Sequence, residues 1–244
     1  MYKKSIIFIA IILGLMQVQA YSQAKATVHL NGGYNVAIGD LKGDFDNLAD
    51  SNTYLMHNGY SFGFIIKKAY GRGGNLRGTG NINFSVFSQS KHVEEELVTK
   101  DAELTMNILT IGFGGEWAFA PKRGKLNPFV GAELCFNYFT GSLVWSDDYV
   151  ADSLDQSADL SMKPSLRFGV QIGGGIDFQI HQSIGFITGV KYSWTNILGK
   201  KWERDSPSEY KLKDGEYTEG NYHLPARNIT FLQIYGGFSY YFGR

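Results

Sequence analysis

Between Leu166 and Ile180 the apolar side chains fall on every second position. Leu166, Phe168, Val170, Ile172, Ile176, Phe178 and Ile180 share one parity, interrupted by Gly174, while Arg167, Gly169, Gln171, Gly173, Gly175, Asp177 and Gln179 share the other. Alternation at period two is the signature of a strand with one apolar face. The pattern recurs along the chain and predicts eight strands, at about 25–38, 58–70, 79–89, 104–119, 128–140, 166–180, 184–194 and 227–242. Most exceed the five or six residues usual in a soluble sheet, and a tilted strand of about 9 to 11 residues is what crosses a bilayer. Outside the N-terminal segment no window holds the roughly 20 consecutive apolar residues of a membrane helix.

The connections give a second test. Those after the second, fourth and sixth strands are short: GRGGNLRG, PKRGKLN and HQS. Those after the first, third, fifth and seventh are long, at about 39–57, 90–103, 141–165 and 195–226. Short periplasmic turns alternating with long extracellular loops is the arrangement of bacterial outer-membrane barrels.

A soluble eight-stranded barrel of the lipocalin kind also alternates, but its polar face meets water and is rich in charge. Here the polar faces are small and sparsely charged, as in Asn31, Gly33 and Asn35, or Thr110, Gly112 and Gly114. Such a face suits a crowded interior. The apolar faces are large, as in Leu109, Ile111, Phe113, Trp117 and Phe119, or Leu232, Ile234, Phe238, Tyr240 and Phe242. The predicted fold is therefore an all-β, eight-stranded, antiparallel up-and-down transmembrane barrel, with a soluble lipocalin-like carrier as the weaker alternative. Trp117, Phe119, Phe178, Phe186, Tyr240 and Phe242 fall near one set of strand ends and Tyr60, Tyr138, Tyr192 and Trp194 near the other, as aromatic girdles would.

The first twenty residues have a Lys3-Lys4 start, an apolar run from Ile6 to Met16, and small residues at Val18 and Ala20. This is the form of a secretory signal peptide, with cleavage after Ala20 or, second, Ala24. The predicted organisation is a leader at 1–20 and a barrel at 21–244. The full chain carries a formal charge of +0; the leader holds Lys3 and Lys4 and no acid, so its removal leaves 21 basic against 23 acidic residues. No basic field for nucleic acid exists. The single cysteine, Cys135, excludes an intramolecular disulfide and reads as a buried thiol.

With its leader, eight alternating strands and the ending FSYYFGR, the chain resembles the small outer-membrane barrels related to the transmembrane domain of outer-membrane protein A, particularly the porin-like family common in Bacteroidetes. The resemblance implies an assembly signal read by the barrel-insertion machinery, and Phe238, Tyr240 and Phe242 match its alternating apolar pattern. Gly243 and Arg244 extend beyond it.

An eight-stranded barrel leaves a bore that side chains fill. Inward charges then need partners, because isolated buried ions are expensive. Lys67, Glu116, Glu133, Arg167, Asp177 and Lys191 are the candidate lumen network, read as a plug, with a proton or solute path as the alternative.

Catalytic readings find little support. His181-Gln182-Ser183 has the His-x-Ser spacing of an outer-membrane lipid deacylase but falls in a periplasmic turn, away from the outer leaflet. There is no G-x-S-x-G elbow, and Gly173-Gly174-Gly175 lies within a strand, which removes a phosphate-loop reading. Asp40, Asp44, Asp46 and Asp50, and Asp147, Asp148, Asp152, Asp155 and Asp159, lack calcium-loop spacing, so they read, with Glu94-Glu95-Glu96, as solvated loop charge. The expectation is a non-enzymatic outer-membrane protein without metal or cofactor. Its predicted partners are outer-membrane lipid, the insertion machinery and an unknown extracellular ligand met through its loops; a narrow channel or small-ligand-binding barrel is the alternative.

Overall fold

The alternating segments fold as β1 (Ala26–Ile38), β2 (Gly59–Tyr70), β3 (Leu76–Glu95), β4 (Val98–Ala118), β5 (Leu126–Trp145), β7 (Ser165–Gln179), β8 (Ile184–Leu198) and β12 (Thr230–Phe242). Shorter strands lie in the connections: β6 (Asp159–Met162), β9 (Glu209–Tyr210), β10 (Tyr217–Glu219) and β11 (Tyr222–Leu224). The computed structural model describes residues 26–44, 52–71, 73–95, 98–119, 126–145, 159–181, 183–206, 209–220 and 222–242. The leader with its cleavage sites, Asp46, Asp50, Asp147, Asp148, Asp152, Asp155, Glu96, Gln182, Gly243 and Arg244 lie outside them.

Each long strand pairs antiparallel with the next, and β12 closes the ring on β1. Opposed residues can be followed once around the barrel, from Ala26 to Lys68, Gly78, Gly115, Ala132, Ile172, Tyr192, Leu232 and back to β1 at Val36. The circuit advances ten residues along β1, from position 26 to 36. With a rise of about 3.3 Å per residue and about 4.8 Å between strands, that stagger tilts eight strands by roughly 40°. The bore is narrow, and side chains fill it.

The two faces separate as the alternation requires. Ile172 is 59% exposed on the outer wall, and its neighbour Gln171 is 2% exposed within. Leu30, Phe62, Phe113, Leu134, Phe168, Val190, Ile234 and Phe238 continue the outer band around the barrel. The inward glycines of β7 make room. A Cβ on Gly173 would come within 2.8 Å of Lys191 Cγ, and one on Gly175 within 3.0 Å of the Phe129 ring.

The second long connection differs from expectation. The segment about 90–103 does not form a long loop: β3 continues to Glu95 and β4 begins at Val98, so the hairpin extends as paired strand. Ser88, Ser90 and Glu103 are exposed there, and the outward positions are no longer apolar. A ladder that leaves the apolar band keeps its hydrogen bonds but loses its apolar outer face, and the alternation that would mark it disappears.

Above the polar lumen the interior becomes apolar. Leu41, Tyr54 and Met56 of the first connection and Leu212 and Ile229 of the last pack on Phe87, Ile108, Phe139 and Phe231 of the wall. The rings of Phe87 and Phe231 meet edge to face at 5.2 Å. Two loops thus cross the mouth and bury their apolar side chains inside it.

Candidate functional site

Near the short-turn end, four charged side chains from four strands converge. Arg77 of β3 stands opposite Glu116 of β4 in the ladder, both facing inward, and their side chains pair through Nη2 and Oε1. Lys67 of β2 reaches Glu116 Oε2 at 3.0 Å and Asp177 Oδ1 of β7 at 3.3 Å. Arg77 Nη1 donates to Asp177 Oδ2 at 2.6 Å. Two cations thus face two anions, each touching both opposite charges, in a cluster where all four residues are buried. The ammonium of Lys67 also lies 3.5 Å from the centroid of the Phe129 ring. Burial of this kind is tolerated only when every charge is matched.

Further up, Lys191 Nζ meets Glu133 Oε2 at 3.2 Å. Asn81 Nδ2 donates to Glu133 Oε2 and to Gln171 Oε1, each at 3.2 Å, and Gln171 Nε2 donates to Ser193 Oγ at 3.0 Å. A cavity of about 20 Å³, lined by Thr79, Glu116, Glu133 and Lys191 among others, separates the two ionic layers. That is room for about one water. The next layer is neutral: Gln233 Nε2 donates to Ser61 Oγ at 2.7 Å, and Thr110 Oγ1 to Asn137 Oδ1 at 2.8 Å. Gln233 Nε2 also reaches Asn83 Oδ1 of β3 at 3.3 Å, so polar groups of strands that are not ladder neighbours bond within the bore.

Of the six candidate network residues, Lys67, Glu116 and Asp177 meet in the lower cluster, and Glu133 and Lys191 form the pair above it. Arg167 joins neither. It pairs near the mouth with Asp214 of the last connection, through Nε and Oδ2 at 2.8 Å. The reading of the residues missed three participants. Arg77 sits in a glycine-rich stretch that resembles a turn, although its parity with Thr79, Asn81 and Asn83 marks it as inward. His29, whose Nδ1 lies 2.7 Å from Ser239 Oγ, shares parity with Asn31, Gly33 and Asn35. Asp214 has no local signal.

The remaining candidates are dispersed. Phe238, Tyr240 and Phe242 stand exposed on the outer face of β12, with the last two rings 4.7 Å apart. His181 and Ser183 lie in the tight turn between β7 and β8. Cys135 is buried, its Sγ 3.8 Å from the Glu133 carbonyl. Asp40 accepts the backbone N–H of Asn228 at 2.7 Å and so ties the first connection to the last. Among the described residues no three His, Cys, Asp or Glu side chains gather as a metal site would require.

No protein-family model matches the chain. No curated protein matches it in sequence. Solved structures do. Outer membrane protein OprG from Pseudomonas aeruginosa aligns with a TM-score of 0.50 at 13% identity, over 93% of this chain and 100% of its own. The fold is that of the small outer-membrane barrels. Neisserial surface protein A aligns at 13% identity and a TM-score of 0.48, covering 89% of this chain and 97% of its own. The attachment invasion locus protein Ail of Yersinia pestis aligns at 9% identity and a TM-score of 0.42, covering 89% and 99%.

Proposed function

We propose that the chain is an integral outer-membrane protein with a closed lumen, and that its loop end acts at the cell surface as an interaction platform. The observation that carries this reading is the apolar stopper. A conducting bore needs a continuous wet path, whereas here Phe87, Ile108, Phe139 and Phe231 fill the mouth beneath inward-folded loops. The ionic layers below it are matched charge for charge and bond across the lumen, as a structural plug would. The outer band of exposed Leu, Ile and Phe fits a lipid environment, because a soluble monomer rarely exposes so large an apolar surface. Tyr34 and Tyr60, 5.5 Å apart, fit the upper interface, and Trp117 and Tyr240 the lower.

In this reading the short turns face the periplasm, the His181 and Ser183 turn lies on the side away from the outer leaflet, and the protein is not an enzyme. Phe238, Tyr240 and Phe242 serve the insertion machinery from the outer face of β12. The assignment to the porin-like family of Bacteroidetes rests on the strand pattern and the FSYYFGR ending.

Planar-bilayer recording of the refolded protein tests the closed lumen. No steady conductance is expected; unitary openings would favour the channel. The location is tested by cell fractionation, where the protein should sediment with outer membranes and migrate anomalously in gels when unboiled. Recovery mainly in the soluble periplasm would reject it.

A further inference from the structure

The barrel wall splits at one place. The β7–β8 ladder ends with Phe168 opposite Leu198, just beyond an irregularity between Phe168 and Val170. Above that point β6 pairs with β5 on one side and in parallel with β9 of the last connection on the other. Lys163 donates its backbone N–H to the Tyr210 carbonyl at 2.9 Å, which holds the two together. Between residues 163–167 and the segments 199–203 and 211–213 a crevice of about 430 Å³ remains.

Its lining is cationic. Lys163, Lys201, Lys211 and Lys213 border it, with Glu203 as the acid among the lining residues. Their neutralisation is partial. Lys163 reaches Glu203 only at 3.8 Å and Lys211 reaches Glu209 only at 3.7 Å, whereas Lys213 pairs with Asp205. The Lys201 side chain has no carboxylate partner among the described residues. Arg167 also lines the crevice, with its charge engaged by Asp214.

The position of the crevice is the second observation. Leu166, one of its lining residues, is 51% exposed on the outer wall, and Leu198 and Phe168 lie exposed beside it. One continuous surface therefore passes from apolar side chains to lysines over a few residues. We propose that this crevice binds the phosphate-bearing headgroup of an outer-leaflet lipid, its acyl chains lying along Leu166 and Leu198 and its phosphates among Lys163, Lys201 and Lys211. The proposal rests on the outer-membrane reading, since a soluble barrel would have no lipid at this height. The chemistry is the pairing of ammonium groups with phosphate: Lys211, 14% exposed, stands in the crevice where the attraction is less screened, and the exposed Lys163 and Lys201 stand at its rim.

The test uses the refolded full barrel in detergent, with bound lipid counted by native mass spectrometry. Lipopolysaccharide, chemically dephosphorylated lipopolysaccharide and inorganic phosphate are the three probes. The wild type should retain one phosphorylated lipid and hold the dephosphorylated form about tenfold more weakly. Lys163→Glu with Lys201→Glu should lose about tenfold in affinity for the phosphorylated lipid, and Lys163→Arg with Lys201→Arg should keep it. Anomalous gel mobility before boiling reports that each variant is folded; if the reversal variant fails that check, Lys201→Gln alone is measured, with a smaller loss expected. Equal retention by the wild type and the folded charge-removing variant (Lys163→Glu with Lys201→Glu, or Lys201→Gln), or indifference to dephosphorylation, would overturn the site. Displacement of the lipid by inorganic phosphate would make it a site for free phosphate and overturn the lipid assignment. Failure of the outer-membrane reading looks different, because the protein would then not insert into lipid vesicles at all.

Discussion

Arg167 of β7 and Asp214 of the last connection form a two-bonded pair, Nε to Oδ2 and Nη2 to Oδ1, both at 2.8 Å, with the carboxylate wholly buried. Asp214 also accepts from Asn196 Nδ2 and from the Lys201 backbone, each at 3.0 Å. One carboxylate thus fixes a loop to two barrel strands. Asp214→Asn removes the charge and leaves the buried Arg167 unpaired, a change that costs about 3–5 kcal/mol. The loss should fall on the loop and not on the ring. Protease should cut within 199–229 faster in the variant, while unboiled gel mobility stays that of a closed barrel. Unchanged cleavage would mean that the apolar stopper alone holds the loop.

The four-charge cluster makes a prediction about pairs. Lys67→Met leaves Glu116 and Asp177 sharing Arg77, and the uncompensated anion should cost about 3–5 kcal/mol in vesicle refolding. Glu116→Gln alone should be similarly harmful, because Lys67 and Arg77 then share Asp177. Combining the two restores the balance of one cation to one anion, so the double variant should be more stable than the sum of single losses by at least about 1 kcal/mol. Strict additivity would show that the charges do not act as a unit.

The mouth should open in alkali. Burial pushes the phenols of Tyr54 and Tyr210 above the ordinary tyrosine value of 10.0. A group that binds its proton more tightly when folded contributes stability that is complete below its unfolded pKa and is lost as pH rises beyond it. Packing of the first and last connections should therefore hold to about pH 10 and weaken above it. Trp202 fluorescence followed against pH checks this, and Tyr54→Phe with Tyr210→Phe should flatten the change. Loosening centred near neutrality would point to another group.

The strands were readable because an apolar outer wall and a filled polar bore impose opposite demands on alternate positions, as Leu166 to Ile180 displays. Legibility failed where that contrast fails. Beyond Ser88 on β3 and before Thr105 on β4 the outward positions Ser90 and Glu103 are polar, so the apolar half of the alternation is missing and the hairpin reads as a loop. Arg77 was concealed for a different reason: Gly71, Gly73, Gly74, Gly78 and Gly80 crowd around it, and such a run resembles a turn although the strand already begins at Leu76. The Arg167–Asp214 pair could not be anticipated, because 47 residues separate its members and no ladder register connects a loop to the wall. Alternation fixes which way a strand side chain points; it is silent about what a loop brings to meet it.

The assignment of faces can itself be tested on adjacent residues. Ile172 stands 59% exposed in the middle of β7, and neither of its cross-strand neighbours, Ala132 and Tyr192, carries an acid to balance a charge placed there. Ile172→Arg should cost roughly 2 to 4 kcal/mol if it lies near the bilayer midplane. Gln171 points the other way, accepting from Asn81 and donating to Ser193 beside the Glu133–Lys191 pair. Gln171→Lys adds a second cation next to Lys191 but within reach of the layer that holds Glu133, so its cost should be smaller than that of the outward arginine. Ile172→Leu should be nearly neutral, because lipid accepts either side chain. Equilibrium unfolding in lipid vesicles ranks the three. Were Ile172→Arg harmless and Gln171→Lys unable to insert, the outer wall would not face lipid, and the apolar band around this barrel would need a protein partner to cover it.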